Sequence, residues 1–322
     1  ITDRDGDTAS ASVNIGSNLV FEDDAPSLGA ASGVEPTITV DETVLATNAS
    51  ASFAGILGAI GASYGADGAG TTVYALGVSA SGVNSGLIDV ATGQAIYLYQ
   101  SGGSVVGRVG SGGSADPAGA IAFTVSVDGT GLVTLDQARA LTHPNTSNPD
   151  DPVSMVTDSL INLSLTVTDR DGDAVSASVN IASNLVFEDD GPSIGTTTLA
   201  EPVLTVDETV LATNASASFA GLFSGAYGAD GAGTTAYALA ITAGPSGLVD
   251  IATLEAVNLV LNGGVVEGRT ATTNQLVFTV TVNGSGVVTL DQLRAVQHTP
   301  DTGPDQPVSL TADSLVRLVA TI

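Results

Sequence analysis

The sequence contains no cysteine, no tryptophan and no lysine. Without cysteine the chain has neither a disulfide framework nor thiolate ligands for a metal ion. Because aromatic residues make up only 4% of the chain, the core must be built mostly from Ala, Val, Leu and Ile. No run of about 18 consecutive apolar residues occurs, so we predict no direct insertion into a membrane.

Positive charge is also scarce. The chain has 34 acidic residues against seven basic ones, all of them arginine, and its net charge is −27. Such a surface repels phosphate backbones and anionic lipid, and it attracts cations. We therefore predict no nucleic-acid partner.

The residues that are abundant favour strands and turns. The chain has 39 glycines, many Ser and Thr, and apolar residues that are mostly small or β-branched. This composition indicates an all-β fold. The length of 322 residues suggests two or three domains.

One unit is written twice. "TVDETVLATNASASFAG" at 39–55 returns unchanged at 205–221, and "FEDDAPS" at 21–27 returns as "FEDDGPS" at 187–193. This offset of 166 residues shrinks to 155 by "VTLDQ" at 133 and 288, so the second copy has small deletions in predicted loops.

The two ends match the same point of the repeat, because "DSLVRLVATI" at 313–322 resembles "DSLINLSLTV" at 158–167. We therefore expect a window of a longer tandem array. Its predicted parts are the last strand and linker of a preceding repeat (1–26), a complete repeat (27–190) and a second repeat without its final strand (191–322).

The stretch "TDRDGD", at 2–7 and 168–173, predicts a hairpin loop. The flanking apolar residues are all odd-numbered, so residues 167 and 175, and 165 and 177, must pair across a three-residue loop at 170–172. Gly172 then takes the left-handed position. Asp169 and Asp173 lie opposite each other with Asp171 at the tip, and Ca²⁺ would relieve their repulsion. A solvated turn explains the hairpin alone equally well.

Similar acidic clusters recur once per repeat, at predicted strand ends and linkers, which favours Ca²⁺ binding. The spacing is not that of an EF-hand. The predicted ligands are Asp3, Asp5, Asp7, Glu22, Asp23, Asp24, Asp41, Glu42, Asp169, Asp171, Asp173, Glu188, Asp189, Asp190, Asp207 and Glu208. Asp67 and Asp230, in "YGADGAG", are interpreted as loop residues.

Catalysis finds little support, and we predict that the chain is not an enzyme. No nucleophile elbow or phosphate-binding loop is present. His143 and His298 occupy matched positions and are interpreted as local hydrogen-bond anchors. Asp136 and Asp291, in "TLDQ", are predicted to cap short helical turns.

The motifs "FEDDxPS", "VDETVLAT", "SGLxDxAT", "VTLDQxRA", a following "HP" and "TDxDGD" together resemble the extender repeats of giant RTX adhesins, which Gram-negative bacteria export by type I secretion. The resemblance covers the whole chain twice, although Thr299 separates His298 from Pro300 in the second copy. It implies tandem immunoglobulin/cadherin-like β-sandwich repeats joined by acidic Ca²⁺-binding linkers, in an extracellular protein of the bacterial surface.

Two expectations about neighbours follow. In an immunoglobulin-like sandwich the loop 169–173 lies at the N-terminal end of its own domain, so it should approach the linker 22–24. Residues 8–20 are an orphan copy of the strand that the second repeat lacks. Because an unpaired strand edge invites pairing, they are expected to pair with the second repeat of another copy.

The predicted function is that of a structural extender, whose partners are the neighbouring repeats of the same chain and which projects distal binding modules for attachment and biofilm formation. The alternative is a glycan-binding module on the same scaffold. Exposed aromatic residues would favour the alternative, and Tyr97 and Tyr99 are the aromatics without a counterpart in the second copy.

Overall fold

A computed structural model of the chain describes residues 1–299, 303 and 305–322. Over these residues the structure is all-β, as predicted, and the helical elements are single 3-10 turns of three residues. The chain forms two compact units. Unit 1 comprises Ile1–Pro144 and Pro152–Glu188, and unit 2 comprises Asn145–Asp151 and Asp189–Ile322.

Unit 1 holds the first twelve strands of the chain. They are β1 (Ile38–Asp41), β2 (Ala49–Ser52), β3 (Ala69–Val78), β4 (Val83–Ile88), β5 (Ala95–Ser101), β6 (Ser104–Val109), β7 (Ile121–Val127), β8 (Leu132–Gln137), β9 (Pro152–Ser154), β10 (Ile161–Asp169), β11 (Ala174–Asn180) and β12 (Leu185–Glu188). Its 3-10 turns are Gly16–Asn18, Glu42–Val44, Asp158–Leu160 and Ala182–Asn184.

These strands form three sheets. The largest has the order β2-β8-β7-β6-β5-β4, and the two smaller ones have the orders β11-β10-β3 and β1-β12-β9. Strands β1 and β12 run parallel, whereas the other pairs are antiparallel. Because β3 packs across β5, β6 and β7, the sheets face each other as a sandwich. The predicted β-sandwich is thus confirmed.

The core of unit 1 follows the period of two in its strands. Leu163, Leu165 and Val167 of β10 are fully buried, while the residues between them are not. The Phe123 and Phe187 rings lie 5.1 Å apart in this core. Gly107 is paired with Phe123, and a Cβ at Gly107 would stand 2.3 Å from that ring, so only glycine leaves room for it.

Unit 2 repeats this architecture with fewer pairings. Its strands are β13 (Ser193–Thr196), β14 (Ala215–Ser218), β15 (Phe223–Ala226), β16 (Ala236–Ile241), β17 (Gly244–Val249), β18 (Ala256–Asn262), β19 (Val265–Thr270), β20 (Leu276–Val282), β21 (Val287–Gln292) and β22 (Val316–Thr321). Its 3-10 turns are Glu208–Val210, Ala220–Leu222 and Asp313–Leu315.

The sheets of unit 2 have the orders β14-β21-β20-β19-β18-β17, β16-β22 and β13-β15. Strand β16 packs across β18, β19 and β20, so unit 2 is also a sandwich. Its core centres on Val257, Val266 and Val277, which are fully buried.

The register of the β10–β11 hairpin agrees with the parity argument. Leu165 pairs with Ala177 and Val167 with Val175. The Asp169 N–H donates to the Asp173 carbonyl at 3.0 Å, and Gly172 has a φ of 114°. The three-residue loop was therefore readable from the positions of the apolar residues.

Two local predictions were wrong. Asp136 and Asp291 do not cap helical turns but lie within β8 and β21, because cross-strand pairing with β7 and β20 continues past them. Residues 204–206, the counterpart of β1, do not form the predicted strand. In unit 1 the strand neighbour of β1 is β12, and the described part of unit 2 contains no counterpart of β12.

A buried ion pair joins distant segments in each unit. The Asp89 side chain is 0% exposed, and its two oxygens accept from Nε and Nη2 of Arg139 at 2.6 and 3.1 Å. Burial opposes ionisation of Asp89, but the hydrogen bonds and charge of Arg139 and the hydrogen bonds from Thr92 outweigh it and lower its pKa. Asp250 and Arg294 repeat the pair in unit 2 at 2.8 and 2.9 Å.

Substitution Arg139→Ala is expected to destabilise unit 1 by about 3 kcal/mol, because it leaves the buried Asp89 carboxylate without its partner. The measurement is urea unfolding of the full chain followed by circular dichroism. Arg4→Ala, at an exposed arginine, is the control and should leave the unfolding midpoint unchanged. A loss below 1 kcal/mol, about that of an exposed ion pair, would contradict the prediction.

Candidate metal centre

The tip of the β10–β11 hairpin holds one buried carboxylate in a fixed orientation. Asp169 is 3% exposed, and its Oδ1 accepts from the N–H groups of Gly172 and Asp173 at 3.1 and 2.8 Å. Its Oδ2 is buried and has no hydrogen-bond partner within the described part of the chain. A buried carboxylate oxygen without a partner is costly unless a cation or a proton satisfies it.

Two further carboxylates lie beside it. Oxygens of Asp169, Asp171 and Asp173 lie within 4.8 Å of one another. The pKa of Asp171 is raised, first by a hydrogen bond with the Asp169 carboxyl and then by lost hydration and repulsion from Asp169 and Asp23. The hairpin tip thus favours either a shared proton or a cation.

The linker and a third segment reach the same place. One oxygen each of Asp23, Asp67 and Asp171 lies within 4.8 Å of the others. The structure therefore brings the hairpin loop to the linker 22–24, as the sandwich argument expected. Glu22 is exposed and does not join this cluster.

Asp67 has the most perturbed acidity of the three. Its Oδ2 is buried and lacks a hydrogen-bond partner in the described residues. A hydrogen bond with Asp24, which requires a proton on one of the two carboxyls, raises the pKa of Asp67 to about 6, and lost hydration and repulsion from Asp171, Asp23 and Asp24 act in the same direction.

Backbone geometry holds the linker carboxylate in place. Asp24 Oδ2 accepts from the Ala66 N–H at 2.9 Å. Gly65 has a φ of 75°, and a Cβ there would lie 2.4 Å from Asp24 Oδ2. Unit 2 repeats the arrangement: Asp190 Oδ2 accepts from the Ala229 N–H at 2.9 Å, beside a Gly228 that leaves no room for a Cβ. The described part of unit 2 contains no counterpart of the hairpin acids.

The first copy of "TDRDGD" makes the same loop without burial. Asp3 Oδ1 accepts from the N–H groups of Gly6 and Asp7 at 3.1 and 2.8 Å. Oxygens of Asp3, Asp5 and Asp7 lie within 4.8 Å of one another, but all three residues are exposed. This cluster lacks the buried carboxylate of its counterpart.

Glu42 is the centre of a buried hydrogen-bond network. Its side chain is 0% exposed, and Oε1 accepts from Gln137 Nε2 at 2.7 Å and from the Leu141 N–H at 2.8 Å, with His143 Nε2 at 3.3 Å. Its Oε2 is buried and has no hydrogen-bond partner among the residues described. Asp41 Oδ1 accepts from the Thr43 N–H at 2.8 Å. Oε1 of Glu42 thus fixes β1 to the end of β8.

The second copy repeats this network at a more exposed position. Glu208 Oε1 accepts from Gln292 Nε2 and the Val296 N–H at 2.7 Å, with His298 Nε2 at 3.4 Å. Asp207 Oδ1 accepts from the Thr209 N–H at 2.8 Å, and the hydrogen bonds of Thr209 lower the Asp207 pKa. The histidines therefore lie where the sequence placed them, next to a local acceptor.

The remaining predicted ligands lie along one short segment. Glu188 is the last residue of β12 and pairs with Asp41. Asp189 is buried, and its N–H donates to the Asp151 carbonyl at 3.2 Å. Of the predicted ligands, the three hairpin acids and Asp23 therefore belong to clusters in unit 1 that include the hairpin tip.

Sequence reasoning missed Asp67, which the analysis of "YGADGAG" had placed in a loop. Asp67 is indeed in a loop, but that loop faces the linker and the hairpin. The signal that could have found it was the exact return of "YGAD" at 227–230, including the glycine that makes room for the linker carboxylate.

The donors in these clusters are carboxylate oxygens, the ligands that hard cations prefer. Asp169 adds a buried oxygen with no other partner, and Asp67 adds a carboxyl whose ionisation is opposed by its neighbours. The clusters could therefore bind a metal ion.

The fold and these clusters define the chain as an all-β tandem-repeat protein with carboxylate sites able to hold a metal ion. It belongs to the family described as Domain of unknown function (DUF5801), whose model matches residues 37–182 and 203–322, one match in each sequence repeat. Comparison with curated proteins and with solved structures gave no match. Among the described residues, no helix is long and apolar enough to cross a membrane.

In metal-free protein, one aspartate carboxyl is expected to titrate near pH 6, since the pKa of Asp67 is raised to about 6. An unfolded aspartate titrates near 4, so protonating Asp67 adds stability as the pH falls through 6, and this gain is complete below about 4. Carboxyl carbon NMR in the presence of chelator measures the titration.

Asp67→Asn should remove this signal, whereas Asp136→Asn, at an exposed strand position, should leave it. Retention of the signal in the Asp67 variant would contradict the assignment.

Proposed function

We propose that this chain forms structural extender repeats of a large secreted bacterial surface adhesin, stiffened by Ca²⁺ held where the acidic linker meets the hairpin of unit 1. The observation that carries the proposal is the meeting of three segments far apart in sequence. Asp23, Asp67 and Asp171 bring carboxylate oxygens within 4.8 Å, next to the buried Asp169 oxygen without a partner.

The choice of Ca²⁺ rests on the donors. Ca²⁺ takes six to eight oxygen ligands in flexible geometry, and Asp23, Asp67, Asp169, Asp171 and Asp173 supply only carboxylates. Zn²⁺ prefers nitrogen and sulfur ligands, and the chain has no cysteine. Mg²⁺ demands a tighter octahedron and usually keeps several waters. The net charge of −27 adds a long-range attraction for cations.

Stiffening follows from which segments are joined. Residues 19–26 form no strand, and Asp24 contacts the Ala66 N–H. Holding one cation between Asp23 and Asp171 would fix the linker to the hairpin as well, at a place where like charges otherwise push the segments apart. A chain of such repeats would stay extended in the calcium-rich space outside a cell and remain looser where Ca²⁺ is scarce.

The extracellular and adhesin parts of the proposal rest on the sequence resemblance and on the tandem repeat, together with the lack of cysteine. The chain would contact neighbouring repeats and would carry distal modules away from the cell surface. Catalysis is not part of this proposal.

The glycan-binding alternative stays a prediction that no specific contact favours. Tyr97 and Tyr99, on which it rested, are half-buried in β5. The Tyr97 hydroxyl donates to the Gly113 carbonyl at 3.1 Å, so it already has a hydrogen-bond partner.

Adding Ca²⁺ to chelator-treated chain should raise the melting temperature by several degrees, because bound ligand stabilises the folded state by mass action. Small-angle scattering in the same samples should show a narrower distribution of interatomic distances. Mg²⁺ at equal concentration and matched ionic strength is the control, with a smaller expected effect. Identical melting and scattering with Ca²⁺ and with chelator would reject the proposal.

Asp169→Asn should weaken Ca²⁺ binding to unit 1 by roughly tenfold or more, since it removes a buried ligand charge while keeping its shape. The repeat supplies a matched control: Asp3→Asn changes the same position of the same loop where it is exposed. Isothermal titration calorimetry separates the two variants. Equal losses in both, or a loss only in the Asp3 variant, would place the site elsewhere.

A further inference from the structure

One segment of unit 1 contributes two strands. Strand β11 pairs along β10, and after the 3-10 turn Ala182–Asn184 strand β12 lies between β1 and β9. Leu185 and Phe187 of β12 are 0% exposed. Residues 174–188 thus complete both smaller sheets of unit 1.

Unit 2 has the recipient residues but not this segment. Strand β22 corresponds to β10 and pairs with β16, yet no strand in the described part of unit 2 pairs with its other edge. "LTVD" at 204–207 and "PVS" at 307–309 repeat β1 and β9, and neither forms a strand. In unit 1 those two strands are joined to each other only through β12.

Residues 8–22 carry the sequence that unit 2 lacks. They match residues 174–188 except at positions 8, 9 and 16. Ile15, Leu19 and Phe21 are 57%, 60% and 93% exposed, whereas their counterparts in 174–188 are fully buried. The segment already contains the same bend, the 3-10 turn Gly16–Asn18. It therefore presents the apolar residues and the turn of β11 and β12 with nothing covering them.

We propose that residues 8–22 of one copy of this chain bind unit 2 of a second copy as the two strands that complete its sandwich. Transferring the pairing of β10 with β11 sets Ala11 opposite Ala320 and Val13 opposite Leu318. Transferring the pairing of β1 with β12 sets Phe21 beside Val206. This inference rests on strand pairing and apolar burial, and it does not depend on Ca²⁺.

The choice of a second copy as the occupant comes from the residue match, because the groove of unit 1 shows which side chains fill such a site. Phe187 contacts Phe123 in unit 1 at a ring distance of 5.1 Å, and Phe278 is the counterpart of Phe123 in unit 2. The net charge of −27 opposes association of two copies, so salt should favour it by screening.

The first test is the oligomeric state of the full chain by analytical ultracentrifugation over a range of concentrations, in 0.15 and 0.5 M NaCl, with chelator present. We expect concentration-dependent association that strengthens with salt. Phe21→Asp should weaken it by roughly tenfold or more, because a charge would enter an apolar site. Ser12→Asp adds the same charge at a position whose counterpart Ser178 is exposed, and should have little effect.

The second test uses the absence of cysteine to read the register. Chains carrying Ala11→Cys are mixed with chains carrying Ala320→Cys under mild oxidation, and a disulfide between the two kinds of chain is expected. Ser12→Cys mixed with Ala320→Cys is the control, since a shift of one residue turns the side chain to the other face of the strand.

Both single-cysteine changes are at small residues, and Phe21 is exposed, so folding is preserved and circular dichroism confirms it for each variant. A monomer at all concentrations would overturn the proposal, as would association that Phe21→Asp leaves intact or equal crosslinking in the two registers. Because chelator is present throughout, these outcomes are independent of whether Ca²⁺ stiffens the repeats.

Discussion

The pairing of β12 with β1 and β9 is the interaction on which the closed sandwich of unit 1 depends. Strands β1 and β9 have no other strand neighbour in their sheet, and Leu185 and Phe187 fill the core beneath them. Where the described part of unit 2 offers no such strand, the same recipient sequences stay outside any sheet. Their strand structure comes from the partner rather than from intrinsic preference.

The acidic site is organised in the opposite way, since its members repel one another. Backbone N–H groups hold Asp169 and Asp24 in position, and the fold then brings Asp23, Asp67 and Asp171 together. The raised pKa values of Asp67 and Asp171 record the resulting cost of ionisation. A fold that pays this cost without a cation has a site ready for one, which is why cation binding and rigidity are linked in this protein.

Much of the fold could be predicted from particular residues. The odd-numbered apolar positions around "TDRDGD" gave the hairpin register, and the internal repeat located the loops. Asp67 could not be found in this way, because its place beside Asp23 and Asp171 depends on how three segments separated by more than 40 residues pack. The same holds for the ion pair of Asp89 with Arg139, whose partners are 50 residues apart. Asp136 was misread because a local capping signal was weighed above cross-strand pairing.

The two copies of "TDRDGD" separate what each level decided. In both, the first aspartate accepts hydrogen bonds from the same two N–H groups at 3.1 and 2.8 Å, so the sequence alone determined the loop. Asp3 is exposed, whereas Asp169 is 3% exposed with one oxygen lacking a partner. Only the tertiary structure decided that difference. Hydrogen bonds within five residues form wherever the loop forms, but excluding water from a carboxylate requires side chains supplied by distant parts of the chain.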